Sequence, residues 1–248
     1  MRTIDLVDYT GRLLEVSRFR DYCPNGLQVE GHGETRRLVS GVTASVAFLQ
    51  RAIAAGADTV LVHHGYFWKN EPAPVTGPKK ARLLLLLKNE VNLAAYHLPL
   101  DAHREFGNNA QLGRRLGIAV QGWFGDQEIA AWGVPEQPLT LGSLAARVEQ
   151  RLARAPLVVG DLSRPIDRLA WCTGGAQDFL ADAVELGVDA FITGEVSERT
   201  VHLSRETGVA FLAAGHHATE RYGVQALGSH LGERFGIEHT FIDDDNPA

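Results

Sequence analysis

Three clusters of histidine and carboxylate residues in the sequence have side chains that bind metal ions in many proteins. One cluster is a pair of adjacent histidines, and in the other two a histidine is followed four positions later by a carboxylate. The clusters are His63 with His64, His97 with Asp101, and His216 with Glu220. Imidazole nitrogens and carboxylate oxygens are ligands of divalent transition metals. If folding brings the clusters together, the sequence predicts a metal-dependent enzyme.

The geometry expected of each cluster favours two metal ions over one. Adjacent side chains at the end of a strand point in different directions, so His63 and His64 would serve neighbouring ions. Residues four apart on a helix share a face, so His216 and Glu220 can approach one centre together. Because a carboxylate has two oxygens, we assign Glu220 as the bridge between the ions. With no thiolate in the set, the site should accept iron, manganese, cobalt, nickel or zinc.

Hydrolysis is the reaction that such a dinuclear site predicts. Two divalent ions on the order of 3.5 to 4 Å apart lower the pKa of a bound water and supply hydroxide near neutral pH. We expect that nucleophile to attack an electrophilic carbon or phosphorus centre in a small-molecule substrate. His97 is the expected catalytic proton carrier, since a positioned imidazole exchanges protons near pH 7.

Each of these features also has a plainer explanation when it is taken alone. A histidine and a carboxylate four residues apart are common as a surface hydrogen bond, and adjacent histidines can simply end a strand. The aromatic run from Tyr66 to Trp68 either stacks on a substrate base or packs in the core or against another subunit. Glu195 either enters the site or bonds to loop backbone. The combination of clusters therefore carries the metal hypothesis, and no single cluster does.

A repeated frame is expected to position the clusters. Residues 41–64 align with residues 172–195 at a constant offset, so that Gly56 falls on Gly187. Each copy predicts an amphipathic helix, a glycine at its C-terminal end and a short buried strand. Strands predicted at 91–95 and 209–213 precede the other two clusters. Ligands in α/β proteins lie just beyond the carboxyl ends of strands, where side chains reach an open crevice.

The expected fold is therefore an α/β protein with two similar lobes that arose by internal duplication. We place the first lobe at residues 1–125 and the second at 126–248. The lobes are expected to be intertwined, with segment 209–248 completing the site of the first lobe and a dinuclear metal site at their interface. The segment 122–141, rich in tryptophan, proline and glycine, is the predicted junction.

Composition restricts the partners and the compartment. The net charge of −6 argues against strong nonspecific binding to nucleic acid, which requires a basic face. The two cysteines, Cys23 and Cys172, lie far apart and suit a reducing compartment. A charged N-terminal segment lacks the apolar centre of a signal peptide. The leucine run 83–87 is too short to cross a bilayer. These features predict a cytoplasmic protein without a membrane partner.

Several motifs, in the same order along the chain, resemble those of the YbgI-like (Nif-three-like) family of GTP cyclohydrolase type 2 homologues. The motifs are NGLQVEG at 25–31, VHHGYFWK at 62–69, HLPLDAH at 97–103, GNNAQL at 107–112, TGEVSE at 193–198 and AAGHHATER at 213–221. The resemblance implies two intertwined α/β lobes, a dinuclear metal centre and a ring-shaped homohexamer. It places the metal ligands on His63, His64, Asp101, His216 and Glu220. Residues 121–168 match no motif of the family.

Three functional hypotheses follow from the sequence. The first is a dinuclear metal-dependent hydrolase that acts on a nucleotide or related heterocycle. The second uses the same chemistry on a phosphoester or peptide-like bond. The alternative is a metal-binding regulatory or scaffold protein that forms a ring-shaped oligomer without turnover. Metal-dependent turnover that is lost in Glu220→Gln would favour an enzyme over the scaffold.

Overall fold

The computed structural model of the protein describes residues 1–248, which form nine α-helices and thirteen strands. The helices are α1 (Thr3–Leu13), α2 (Val46–Ala54), α3 (Gly77–Lys88), α4 (Leu98–Ala102), α5 (Asn108–Leu116), α6 (Leu141–Leu152), α7 (Leu180–Glu185), α8 (Glu198–Thr207) and α9 (His216–Phe235). The strands are β1 (Gly26–Val29), β2 (Arg37–Thr43), β3 (Thr59–His64), β4 (Asn92–Ala95), β5 (Ile118–Phe124), β6 (Ala130–Pro135), β7 (Leu139–Thr140), β8 (Leu157–Val159), β9 (Pro165–Ile166), β10 (Leu169–Trp171), β11 (Ala190–Thr193), β12 (Ala210–Ala213) and β13 (Glu238–Phe241). The chain divides into a first unit, residues 1–100 and 223–245, and a second unit, residues 101–222 and 246–248.

The first unit contains a five-stranded sheet in the order β1-β4-β3-β2-β13. Strands β4, β3, β2 and β13 are parallel, and β1 pairs with β4 in the antiparallel direction. The final strand of the chain thus pairs with β2, with Glu238 opposite Arg37. The carboxyl ends of the parallel strands lie at one edge of this sheet, where α/β proteins carry their ligands.

Helix α2 shows how the sequence sets the packing of the first unit. The Ser45 side chain accepts a hydrogen bond from the backbone N–H of Phe48 and caps the first turn. Phe48 and Leu49 are buried, and burial of each such side chain stabilises the fold by roughly 1.5 to 3 kcal/mol. Gly41 of β2 makes room for this helix, because a Cβ atom there would lie 2.3 Å from the Phe48 ring.

The second unit contains a six-stranded sheet in the order β5-β6-β10-β11-β12-β8 and a two-stranded sheet of β7 and β9. Strands β10, β11 and β12 are parallel, while β6 and β8 pair with them in the antiparallel direction. Three fully buried aromatic residues, Trp171, Phe191 and Phe211, fill positions on these central strands.

The mixed α/β class predicted from the sequence is confirmed. Each unit contains a β-α-β-α-β run, β2-α2-β3-α3-β4 in the first and β10-α7-β11-α8-β12 in the second. The predicted strands at 91–95 and 209–213 correspond to β4 and β12. The short buried strand predicted in the first copy of the repeat is β3, which extends through both histidines. The shared order is what a duplication would leave, but the duplication itself and the division at residue 125 stay predictions.

The segment 122–141, predicted as a junction, instead contributes strands to the second unit. Strands β5 and β6 pair in the antiparallel direction and join the sheet at β10. Two glycines of this segment permit close packing. A Cβ atom on Gly122 would lie 2.5 Å from Trp132 Nε1. A Cβ atom on Gly133 would lie 2.2 Å from the carbonyl oxygen of Ala119. These glycines therefore belong inside strands, where they allow close approach, and do not mark a linker.

None of the helices combines the length and the apolar character needed to cross a membrane. The leucine run 83–87 lies on α3 as predicted, with Leu86 fully buried. Leu84 and Leu87 are exposed, so this helix presents apolar side chains on its outer face as well as its inner one.

Candidate metal centre

In the first unit, strand β3 ends with the adjacent histidines His63 and His64. His63 is fully buried, and its Nδ1 donates a hydrogen bond to the carbonyl oxygen of Tyr96 at 2.9 Å. The Nδ1 atom of His64 lies 3.1 Å from the hydroxyl of Thr43. The two ring centroids are 4.6 Å apart. Because a carbonyl only accepts, the His63 bond fixes the tautomer in which Nε2 carries the lone pair.

His97 belongs to the same cluster in the first unit. Its ring centroid lies 5.1 Å from that of His63 and 5.7 Å from that of His64. The three histidines offer one nitrogen each within 4.8 Å of one another. The ring of Trp68 lies almost perpendicular to that of His97, with centroids 5.0 Å apart. The structure therefore brings the predicted proton carrier beside the two predicted ligands.

The Asp21 carboxylate fixes the position of His97. Its Oδ1 atom accepts a hydrogen bond from His97 Nδ1 at 2.7 Å, and Oδ2 accepts from Leu98 N at 2.9 Å and Asn25 Nδ2 at 2.8 Å. Oδ1 also accepts from the backbone N–H of Tyr22 at 2.6 Å. Burial is the largest single influence and raises the pKa of Asp21, but the hydrogen bond and charge of His97, with the other donors, lower it overall.

In the second unit, Asp101 and Glu220 are two buried carboxylates with exposed fractions of 6% and 3%. Asp101 lies on α4, and its Oδ1 accepts hydrogen bonds from Asn108 Nδ2 at 2.9 Å and from the Thr173 hydroxyl at 3.2 Å. An oxygen of Asp101 and an oxygen of Glu220 lie within 4.8 Å of each other. Two buried negative charges at this separation repel each other strongly, and a bound cation would offset the repulsion.

His216 begins helix α9 and faces Glu220 one turn later. Its Nε2 lies 3.2 Å from Glu220 Oε2, and its Nδ1 donates to Glu195 Oε1 at 2.7 Å. Burial is the largest single influence and lowers the pKa of His216, but the hydrogen bonds and charges of Glu220 and Glu195 together raise it to about 9. Glu195 was predicted either to enter the site or to bond to loop backbone. Its bond to His216 supports the first prediction and gives this carboxylate the role of orienting a candidate ligand.

Two glycines, Gly174 and Gly194, make room for the side chain of Glu220 and for His216. Gly174 has φ of +72°, and a Cβ atom on it would lie 2.1 Å from Glu220 Oε1 and 3.2 Å from His216 Nε2. A Cβ atom on Gly194, the residue after β11, would lie 2.6 Å from the His216 Cα atom. Backbone without side chains therefore forms the wall against which Glu220 and His216 pack.

The donor groups of each cluster fit a divalent transition metal. Metal-binding histidines usually donate their second ring N–H to a carbonyl or a carboxylate. His63 and His216 each make such a bond through Nδ1, so Nε2 is the nitrogen that would coordinate an ion. His97 makes the same kind of bond to Asp21, which leaves its Nε2 for proton transfer. Carboxylate and imidazole donors without a thiolate suit iron, manganese, cobalt, nickel or zinc.

Tyr66, the first residue of the aromatic run, and His103 have structural explanations. The Tyr66 hydroxyl donates to the Ala44 carbonyl oxygen in the core, which supports packing and not base stacking for this residue. The Nδ1 atom of His103 accepts hydrogen bonds from the backbone N–H groups of Glu105 and Phe106. These bonds give His103 a structural role at the turn that follows α4.

Sequence reasoning missed the residues that orient the ligands. Asp21 lies in an irregular segment and meets His97 from 76 positions away in the chain. Thr173 reaches Asp101 from 72 positions away. No periodicity marks such pairs. For Asn108, a signal was present in the motif GNNAQL, since a buried asparagine at a helix start needs polar partners.

A family model agrees with the motifs quoted above. Its description is Duf34/NIF3 (NGG1p interacting factor 3), and it matches residues 1–247. The chain belongs to the DUF34/NIF3 family. The resemblance to YbgI-like proteins is thereby confirmed.

Relatives in this family align with the chain over its whole length. A protein of Pseudomonas aeruginosa named GTP cyclohydrolase 1 type 2 homolog is 56% identical over 98% of this chain and 97% of its own. A solved structure of protein ybgI, of unknown function, is 50% identical, has a TM-score of 0.97 and aligns over 100% of both chains. The crystal structure of TTHA1606 from Thermus thermophilus is 34% identical, with a TM-score of 0.91 and 100% of both chains covered.

Proposed function

We propose that the protein is a dinuclear metal-dependent hydrolase. Five side chains are proposed to hold the two divalent ions, with Glu220 as the bridge: His63, His64, Asp101, His216 and Glu220. The observation that carries the proposal is the pair of buried carboxylates, Asp101 and Glu220, with oxygens within 4.8 Å of each other. Such a pair is costly without a nearby cation. In metal-free protein the protonated His216 offsets part of the charge, and divalent ions are the cations that carboxylate and neutral imidazole donors bind.

We further infer that the candidate ligands of both units serve one dinuclear centre. His63 and His64 come from the first unit, and Asp101, His216 and Glu220 come from the second. The two lobes are inferred to have arisen by duplication. His97 of the first unit and Asp101 of the second are only four residues apart in the chain. The common β-α-β-α-β order of the two units supports the duplication. His63 and His64 end the parallel strand β3, and His216 follows the parallel strand β12. In α/β proteins, ligands bind at such carboxyl ends of strands.

The metal ions would supply a hydroxide nucleophile near neutral pH. The chain supplies the proton transfer. Asp21 holds His97 through Nδ1, so Nε2 is the atom that accepts a proton from the attacking water or returns it to the leaving group. Trp68 packs edge-on against the His97 ring and helps to hold it in this position.

The substrate class follows from the relatives' name and the aromatic surface near His97. Relatives carry the name GTP cyclohydrolase 1 type 2 homolog, which suggests a nucleotide or a related heterocycle. Tyr22 is 62% exposed and lies 6.4 Å from the His97 ring, centroid to centroid. An exposed aromatic ring beside the proton carrier suits stacking with a heterocyclic base. We also propose a cytoplasmic, ring-shaped homohexamer, to which the exposed leucines of α3 would contribute apolar surface.

The test measures metal content, oligomeric state and turnover in the same preparations. We expect two equivalents of divalent metal per chain and metal-dependent hydrolysis of at least one member of a nucleotide and heterocycle panel. Glu220→Gln should lose both, whereas Glu233→Gln, an exposed glutamate on the same helix α9, should lose neither. A metal-free wild-type protein would refute the proposal. Two bound ions and an intact hexamer without turnover would favour the regulatory or scaffold protein instead.

A further inference from the structure

A concave surface of the second unit, lined by none of the proposed metal ligands, concentrates arginine side chains. It has a volume of about 530 Å³ and lies between the end of α5 and the length of α6. The residues that matter are Arg114, Arg115, Arg147, Arg151, Ser143 and Glu136. We call this surface the arginine pocket. Four positive charges meet one carboxylate here, in a chain with 24 basic and 30 acidic residues.

Two of the arginines are held in place by neighbouring groups. Arg147 Nη1 donates to the carbonyl oxygen of Leu116 at 2.8 Å and so satisfies the C-terminal end of α5. The guanidinium carbon of Arg115 lies 3.8 Å from the centroid of the Tyr222 ring. A guanidinium has five N–H donors. One hydrogen bond and one ring contact fix these side chains without using most of their donors.

The position of the arginines is not fully explained by helix stability. Basic residues in the last turn interact favourably with the C-terminal end of a helix, which accounts for Arg114, Arg115 and Arg151. Arg147 and Arg151, however, are four residues apart on α6, where like charges destabilise a helix by roughly 0.2 to 0.5 kcal/mol. Their convergence with the α5 arginines adds further repulsion. A bound anion would convert this repulsion into attraction.

We propose that the arginine pocket binds an oligophosphate, a small ligand with two or three linked phosphate groups. The volume lies within the range of small-molecule pockets, roughly 300 to 1,000 Å³. Planar guanidinium groups bind phosphate oxygens in pairs, and several arginines favour several phosphates over one. Arg147 and Arg151 lie in residues 121–168, the region to which the family motifs assign nothing. None of the proposed metal ligands lines this pocket, so we expect the two sites to bind their ligands separately.

The experiment titrates the purified protein with sodium tripolyphosphate, orthophosphate and GTP by isothermal calorimetry at about 0.15 M salt, where diffuse surface attraction is screened. We expect one tripolyphosphate per chain and much weaker binding of orthophosphate. Equal affinities for tripolyphosphate and GTP would show that the pocket recognises the phosphate groups alone. Tighter binding of GTP would show that the pocket also contacts the nucleoside.

Variants locate the binding site. Arg114→Gln with Arg151→Gln should weaken tripolyphosphate binding roughly tenfold or more, because each removes charge-assisted hydrogen bonds. The matched control, Arg36→Gln with Arg199→Gln, removes the same charge from exposed arginines elsewhere and should change affinity less than about twofold. Glu220→Gln, which disables the proposed metal centre, should retain binding. The proposal is overturned by no saturable binding, by equal losses in pocket and control variants, or by a loss confined to Glu220→Gln.

Discussion

Gly174→Ala tests the geometry of the candidate metal centre at one atom. The added Cβ would lie 2.1 Å from Glu220 Oε1, far inside van der Waals contact. The atom it meets is the far end of a side chain, which shifts more easily than backbone. The clash therefore moves the Glu220 carboxylate away from its observed position and leaves the surrounding sheet in place.

The expected loss of stability can be matched by a control in the same unit. Gly174 has φ of +72° and Gly187 has φ of +64°, so both are left-handed. No atom lies within 4 Å of a Cβ placed on Gly187. An alanine in this conformation costs about 1 to 2 kcal/mol. Gly187→Ala should therefore lose that amount of unfolding free energy, with Tm lower by about 2 to 8 °C, and Gly174→Ala should lose at least as much because it also displaces the buried Glu220 side chain.

Metal binding should separate the two variants. Displacement of a ligand or of its support typically weakens metal binding by at least about tenfold. We expect this loss in Gly174→Ala and wild-type affinity in Gly187→Ala, measured by calorimetric titration of Mn²⁺ and by the metal content of purified protein. Equal metal affinities in two folded variants would refute the role of Glu220 as a ligand in the observed position.

Four further predictions concern protonation. Asp21→Asn should lower turnover roughly 10²-fold with unchanged metal content, because His97 loses its orienting carboxylate. The folded pKa of Asp21 is lowered, so its contribution to stability is present above about pH 3.9 and is lost as the pH falls through the folded pKa. The unfolding free energy of Asp21→Asn, measured with urea, should lack this loss in acid. In metal-free protein, the contribution of His216 should be complete below about pH 6.5 and disappear as the pH rises through about 9, and His216→Gln should flatten that part of the stability profile. Burial raises the pKa of Cys23 to about 12 and that of Cys172 well above its usual range, so a thiol reagent near pH 8 should label them only after unfolding. Fast labelling of native protein would contradict this.

The elements that carry the candidate ligands could be predicted because their signals are local. The apolar run before His63 and His64 predicts a buried strand, and the structure places both histidines at its last two positions. The four-residue spacing of His216 and Glu220 predicts a shared helix face, and their side chains lie 3.2 Å apart at the start of α9. Such patterns depend on neighbours in the chain, so one sequence is enough to read them.

The supporting groups could not be predicted because they depend on tertiary structure. The Asp21 carboxylate reaches His97 across 76 residues, and Gly174 is needed only because Glu220 packs against its backbone. The strands β5 and β6 were missed for a related reason. Their glycines and tryptophans indicate a turn when read locally, but Gly122 is the space into which Trp132 fits.

The pairing of β13 with β2 has a consequence for folding during synthesis. Arg37 and Glu238 are 201 residues apart, and at typical translation rates that interval lasts on the order of 10 to 40 s. Throughout that time β2 is an edge strand whose outer backbone N–H and C=O groups lack the partners that β13 will supply. Such an edge can pair with a strand of another nascent chain. Ribosomes that stall before residue 238 should therefore release products prone to aggregation and dependent on chaperones.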